Sequence, residues 1–287
     1  VDDDGQLIAN EAIPVDSSYG GGGRMAVADI DQDGIAELFV GNRAIGLNDY
    51  LVSAQAGRVS ADIHARRVDN NDSVDMVGRG LNFLWVWDLI ENALIWESPV
   101  ISGGNLAALH VADLNGDGVD DLITSNVAGT YVFTADGHGG FAQTAQVGRR
   151  CEQILTGQFN RVGGVDILCR VYRSGINYQA EITILDSALT QTQHYFPPYN
   201  PQDMVAVPTG RGYDNVLMVA GYRDAEKGFD GPAALVMMDA MNGELVWHSP
   251  SLLGKIGPGS PGSLRFEQHS GINRVLVATS EALYISR

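Results

Sequence analysis

Short apolar runs separated by turn residues cover the whole chain. Segments such as "SVDMVGRG", "VDILCRVY", "NVLMVAGY" and "RVLVATS" are each a few residues long. Gly, Asp and Asn bound them on both sides. No stretch holds a long 3.6-residue periodicity. Short runs with turn punctuation predict strands, and the pattern is that of an all-β protein. The 35 glycines fit many tight turns.

The strands recur as a unit, which reads as strand, acidic or glycine turn, strand, turn, strand ending near Asp, turn, strand. Six copies can be laid down. They run over residues 25–63, 64–99, 105–147, 150–196 and 202–250, with a sixth from about residue 262 that stops after three strands, "SLRFEQH", "RVLVATS" and "ALYISR". Joining "ALYISR" to the N-terminal "VDDDGQLIANEAIPV" supplies the missing fourth strand. It matches "YVFTADGHGGFAQTAQV" in the third unit. A ring closed this way leaves no open sheet edge. The expectation is therefore a single β-propeller domain over residues 1–287. It has six blades of four antiparallel strands, with residues 1–20 as closing strand and linker. A seventh blade is possible if a degenerate one hides between Tyr222 and Gly262. An irregular β-sandwich or β-solenoid is the alternative.

One turn repeats its chemistry. Residues 27–42 read "VADIDQDGIAELFVGN" and residues 111–126 read "VADLNGDGVDDLITSN". Counting from the first Asp, positions 1, 3, 5 and 9 hold Asp29, Asp31, Asp33 and Glu37, then Asp113, Asn115, Asp117 and Asp121. Gly34 and Gly118 permit the bend after position 5. Position 7, Ile35 or Val119, offers a backbone carbonyl. Several hard oxygen ligands on one tight loop suit Ca²⁺, and no sulfur or imidazole favours zinc or copper. An EF-hand is excluded. It needs Glu at position 12, where Val40 and Thr124 stand, and helical flanks, where strands are expected.

The D-x-D-x-D-G-x-x-D-L stretch between two strands resembles the calcium loops of FG-GAP/VCBS-type propeller repeats, the repeats of integrin α-subunits and many secreted bacterial proteins. The resemblance implies Ca²⁺ between the first two strands of a blade, about two sites in all. Its ligands would be Asp29, Asp31, Asp33, Ile35 and Glu37, then Asp113, Asn115, Asp117, Val119 and Asp121. Glu37 departs from the usual Asp, and the literal FG and GAP tripeptides are absent. The other units have decayed. In "RRVDNNDSVD", Arg67 replaces the first acid, although Asp69, Asn71 and Asp75 persist. "GQFNRVGGVD" keeps Gln158, Asn160 and Asp166, apparently with one extra residue, and should hold no metal. "PTGRGYDN" and "EQHSGIN" have too few carboxylates. A weaker similarity links "LWVWDLIENALIWESP" and "ALVMMDAMNGELVWHSP" to quinoprotein-type propeller strands. There Trp96 and Trp247 would be wedges between blades.

Composition narrows the function. The formal net charge is −17, with Lys227 and Lys255 the only lysines, and Asp outnumbers Glu 25 to 10. That argues against nucleic acid and anionic membranes as partners, since both need basic patches. No apolar run nears the roughly 18 residues of a membrane span. The start at Val1 suggests a processed, secreted or periplasmic protein. Cys151 and Cys169 flank a short loop. In a hairpin centred near Asn160 they would lie opposite each other, as a disulfide or as two buried thiols.

No nucleophile elbow, zinc-protease motif or P-loop is present. The histidines, at 64, 110, 138, 194, 248 and 269, are scattered. Trp85 and Trp87 face one side of a strand, either as packing between blades or as a sugar platform. Asn71 opens a lone glycosylation sequon. The expected function is a non-enzymatic binding or assembly module. It would recognise an extracellular protein or glycan, or other copies of itself. The alternative is a secreted polysaccharide lyase or hydrolase working in the channel.

Overall fold

The computed structural model describes residues 25–30, 34, 37–40, 43–46, 52–55, 62–69, 71, 73–172, 180–197, 200–221, 233–253, 264–269, 272–279 and 282–285. Everything regular among them is β. The first sheet joins β1 (Met25–Ala28), β2 (Glu37–Val40), β3 (Arg43–Gly46) and β4 (Val52–Gln55). The second holds β5 (Ile63–Arg66), β6 (Asp75–Arg79), β7 (Leu84–Asp88) and β8 (Ala93–Glu97). The third holds β9 (Ala108–Ala112), β10 (Asp121–Asn126), β11 (Gly129–Ala135) and β12 (Phe141–Val147). The fourth holds β13 (Gln153–Gly157), β14 (Asp166–Tyr172), β15 (Ala180–Leu185) and β16 (Gln191–Tyr195). The fifth holds β17 (Asn200–Pro208), β18 (Asp214–Gly221), β19 (Ala233–Asp239) and β20 (Leu245–His248). A three-stranded sheet follows, of β21 (Leu264–His269), β22 (Ile272–Ala278) and β23 (Leu283–Ile285).

Every sheet is an antiparallel meander, and the first strands β1, β5, β9, β13, β17 and β21 neighbour one another in order. This is a β-propeller with five four-stranded blades and the three strands of the last sheet. The repeat boundaries read from the sequence shift slightly. Ile63 opens the second blade and does not end the first, and the fifth blade begins at Asn200. Residues 1–24, which include the expected closing strand, lie outside the described residues.

Strand pleating explains the core. Successive side chains point to opposite faces, so a blade packed on both faces needs apolar residues at both parities. In β10, Leu122 packs with Val77, Leu84 and Val86 of the second blade, while the next residue, Ile123, packs with Ile154 and Ile167 of the fourth. In β14, Ile167 faces the third blade and Leu168 joins Met204 and Met218 of the fifth. That is why the middle strands read as continuous apolar runs, each buried Leu or Ile contributing roughly 1.5–3 kcal/mol. The fourth strands are outermost, and β8, β12, β16 and β20 are largely exposed.

A register shift recurs between the third and fourth strands of all five four-stranded blades. Such bulges add twist and re-aim side chains along the outer strand.

Of the two tryptophans expected as wedges between blades, one takes that place and one does not. Trp96 does pack between the second and third blades, edge-on to Phe133 at 5.9 Å and tilted on Phe141 at 4.9 Å. Trp247 does not: it is 48% exposed on β20, the outermost strand of its blade. Trp85 is fully buried in the cluster between the first two blades, against Gly78, and Trp87 packs half-buried against the same cluster. Neither forms an exposed platform.

The cysteines are joined, Cys151 to Cys169, with Cα atoms 5.2 Å apart. They are not the directly opposed pair that a simple hairpin implies. The residue opposite Cys169 is Ile154, and Cys151 lies just before β13. There its amide donates to Ser125 Oγ of the third blade at 2.7 Å. The bond therefore fixes the blade-to-blade connection to the fourth sheet. Closing a loop of 18 residues stabilises the fold by about 3 kcal/mol.

Candidate functional site

In an antiparallel meander the turn between strands one and two and the turn between strands three and four emerge on the same face. The repeated acidic loops belong to the first set. A second set of acids closes the outer hairpins. Asp88 Oδ1 accepts from the Ile90 and Glu91 amides at 2.7 and 2.8 Å. Asp136 Oδ1 accepts from His138 and Gly140, Asp186 Oδ1 from Ala188 and Thr190, and Asp239 Oδ1 from Met241. One face of the propeller thus gathers acids from both sets of turns.

The loop of the third blade is described in full. Asp113 accepts from the amides of Gly116 (2.7 Å) and Gly118 (2.9 Å). Asn115 Oδ1 accepts from the Asp117 amide, and Asp117 accepts from Val119 N and from Asn115 Nδ2. Gly116 and Gly118 have φ of 79° and 88°, in the left-handed region. Burial raises the Asp113 carboxyl, but the amides of Gly118, Gly116, Asp117 and Asn115 together hold it below its ordinary value. The side chains at positions 1, 3 and 5 therefore curl into one loop.

Position 9 has a different task. Asp121 is 1% exposed. Its Oδ2 accepts from the Leu114 amide at 3.2 Å and its Oδ1 from Ala135 of β11 at 2.9 Å. It ties the start of the loop and the third strand together from beneath. The same bond recurs seven residues apart elsewhere. Ile30 N donates to Glu37 (2.8 Å), and Phe159 N donates to Asp166 (2.8 Å). The fourth loop therefore has the span of the third and carries no extra residue. Asn160 also donates to Asp166, from its amide and from Nδ2. In the fifth blade position 2 is Pro208, which has no N–H to give. Position 9 there is Asn215, opposite Asp239, and its buried Oδ1 has no partner.

The second blade departs from this frame. Asp75 is fully buried, and neither carboxylate oxygen has a hydrogen-bond partner. The Val68 amide, seven residues before it, is the group that favours its charged form. Asp88 lies directly opposite on β7, and like charges opposed across a ladder repel. Burial first, then the charges of Asp69 and Asp88, push the Asp75 carboxyl up to about 7, and the Val68 amide offsets little. Arg67, which stands where the first and third loops begin with an acid, is exposed to solvent. Asp69 is engaged instead by Asn71, through Asn71 N and Nδ2, and bridges to His138 of the third blade.

In the first loop, Asp31, Asp33 and Ile35 lie outside the described residues. Of its described members, Asp29 Oδ2 accepts from Gly34 N at 2.9 Å, as Asp113 does from Gly118, and Asp29 Oδ1 is buried with no partner. Among the described residues no three of His, Cys, Asp and Glu converge as a metal-holding group. The donor set of the third loop is all oxygen: two carboxylates, one amide and the backbone. Asp121 and Glu37 brace the loops from beneath through the Leu114, Ala135 and Ile30 amides. Asp29, Asp113, Asn115 and Asp117 thus fit a hard cation.

At the centre of the ring, polar side chains reach across blades. His64 Nε2 meets Leu109 O at 3.2 Å, and His110 Nε2 meets Thr156 Oγ1 at 3.0 Å. Asp203 accepts from Gln153 Nε2 (2.7 Å) and Leu264 N (2.9 Å), joining three blades. Sequence reading missed one outer cluster. Arg149 donates to Glu181 (2.7 Å), Thr183 and Gln191, and His194 meets the same Glu181 oxygen at 2.8 Å. Only register brings these residues together, so spacing gave no signal.

No family model matches the chain, and no curated protein matches it. Solved structures do share the fold. BBS1N in complex with ARL6DN, soaked with lead, is 12% identical over 91% of this chain and 76% of that one, with a TM-score of 0.61. Cobalt-substituted Synechocystis ACO is 12% identical over 90% and 67%, with a TM-score of 0.51. An Agrocybe aegerita lectin, described as recognising non-reducing terminal N-acetylglucosamine, is 16% identical over 79% and 65%, with a TM-score of 0.50. At these identities the likeness extends to the fold alone.

The geometry of the second blade predicts a pH effect. Because the folded state raises the Asp75 carboxyl from 3.8 to about 7, it binds a proton that the unfolded chain gives up. The associated stability, up to about 4 kcal/mol, is present below pH 4 and lost as pH rises through 7. Asp75→Asn should therefore melt close to the parent at pH 4 and clearly above it at pH 8. Thermal unfolding at both pH values checks this; an equal shift at the two would contradict it.

Proposed function

We propose that the chain is a secreted, calcium-stabilised β-propeller that acts as a non-enzymatic binding or assembly module. It takes a glycan, a protein or further copies of itself. The observation that carries the reading is the use of polar groups near the ring centre. His64, His110, Gln153 and Asp203 serve as ties between blades, while turns and outer strands carry the variable chemistry. Propellers of similar fold are described with a protein partner, ARL6DN, and with a terminal sugar, which supports this class of role. The Cys151–Cys169 bond supports an oxidising compartment. Retention of wild-type protein on extracellular glycans or proteins, with no new reducing ends and no unsaturated product, is the expected outcome of incubation with a polysaccharide panel. Turnover of any of them would overturn the reading.

The loops support membership of the FG-GAP/VCBS type. Asp113, Asn115, Asp117 and the Val119 carbonyl would hold one Ca²⁺, and Asp29 with Asp31, Asp33 and Ile35 a second. When bound, the ion would neutralise carboxylates that now sit within one tight turn. Asp121 and Glu37 would support the loops from below. Reloading chelated protein should return about two calcium per chain and raise the melting temperature. Asp113→Ala should lose more of that rise than Asp69→Ala. No calcium-dependent shift, or equal losses, would contradict the assignment.

We further propose six blades, the last completed by residues 6–14 beside β23. That strand has Leu283 and Ile285 exposed at 63% and 57%. In a neighbouring molecule the same strand could complete the sheet and link copies head to tail. Deleting residues 1–14 should cause aggregation or a large fall in melting temperature. A monomeric truncation that melts with the parent would contradict closure.

A further inference from the structure

A cavity of about 270 Å³ opens on the outer rim between the second and third blades. Trp96 of β8 and Tyr131 and Phe141 of the third blade line it, with Val100 from the connection and two carboxamides, Gln143 and Gln146. The outer-strand bulge builds this wall. Gln143 pairs with Phe133 and Gln146 with Tyr131, and the register shift lies between them. In an unbroken strand, residues 143 and 146 would face opposite sides. The extra residue returns Gln146 to the face that Phe141 and Gln143 already share.

The lining has a definite chemistry. The Trp96 ring touches both Phe133 and Phe141, so the aromatics form one continuous surface and not a row of separate slots. Tyr131 is fixed, with its hydroxyl donating to Ser102 O at 3.3 Å. Among the described residues no charged side chain lines the cavity, in a protein of net charge −17. Gln143 Nε2 and Gln146 Oε1 meet at 3.3 Å, and both side chains are exposed. A carboxamide both donates and accepts, as a sugar hydroxyl does. An apolar floor with a few placed polar groups is the composition of a small-ligand site, and this volume is at the small end of that range.

We propose that this inter-blade cavity binds a single neutral saccharide ring, stacked on the Trp96–Phe141 surface with its hydroxyls on Gln143 and Gln146. This rests on the reading of the chain as a binding module. A proline-rich peptide, the other ligand of aromatic grooves, needs successive separated ridges along an extended groove, which one contiguous platform does not offer.

The test is saturation-transfer NMR on the full chain with millimolar methyl glycosides of glucose, galactose, mannose and N-acetylglucosamine. A polyproline peptide serves as comparison. The expected result is transfer to at least one glycoside. Binding should weaken about tenfold or more in Gln143→Ala/Gln146→Ala, with an unchanged melting temperature because both residues are exposed. Transfer to no glycoside overturns the proposal, as does binding of the peptide in place of a sugar. Glycoside binding that survives the double substitution also overturns this site while leaving the module reading intact. That reading falls only to turnover in the polysaccharide assay.

Discussion

A buried carboxylate that accepts the backbone amide seven residues before it is the interaction that organises three of the blades. Glu37, Asp121 and Asp166 each sit at the head of a second strand, shielded from water, and hold the N–H that opens the preceding loop. An amide and a carboxylate left apart in that position would each carry the full cost of burial. Together they fix where the first strand ends and the second begins. The register of the blade follows from that point. So does the alternation that lets Leu122 and Ile123 serve different neighbours.

The motif carries two tasks. In the third blade Asp113, Asn115 and Asp117 lie on the solvent side, where they order the turn. The acid at position 9 lies on the core side. Support survives in the fourth blade, whose loop has Gln158, Asn160 and Val162 at positions 1, 3 and 5 but keeps Asp166. It takes another form in the fifth, where Pro208 has no amide to offer and Asn215 replaces the acid opposite Asp239. The second blade keeps the acid but not the bond. Asp75 then stands unpaired against Asp88, and its carboxyl titrates near neutrality.

Much of this was legible in the chain. Strand pattern, unit boundaries to within a few residues and the two acidic loops follow from periodicity and spacing, because strands packed on both faces must be apolar at both parities. The task of position 9 was not legible. Spacing marks the acid as a candidate ligand, and only hydrogen-bond geometry shows that it accepts an amide. Trp96 and Trp247 likewise stand in similar strings, yet only Trp96 has Phe133 and Phe141 of a following blade against it. The cavity beside Trp96 depends on a bulge, and a bulge shifts the facing of a strand without leaving a mark in composition. The offset of Cys151 from the residue opposite Cys169 has the same origin, a departure from regular pairing just before β13.

The central claim is that the position-9 acids hold the hairpins through their amides, whether or not a cation is present. Native-state hydrogen exchange on calcium-free protein reads this directly, amide by amide. The account predicts strong protection of the Leu114 and Phe159 amides, approaching that of the middle strands. That protection should be lost at Leu114 and Ala135 but not Phe159 in Asp121→Ala, and at Phe159 and Asn160 but not Leu114 in Asp166→Ala. Exchange of Leu114 and Phe159 in the parent as fast as that of the exposed Gly116 and Gly118 amides would contradict it.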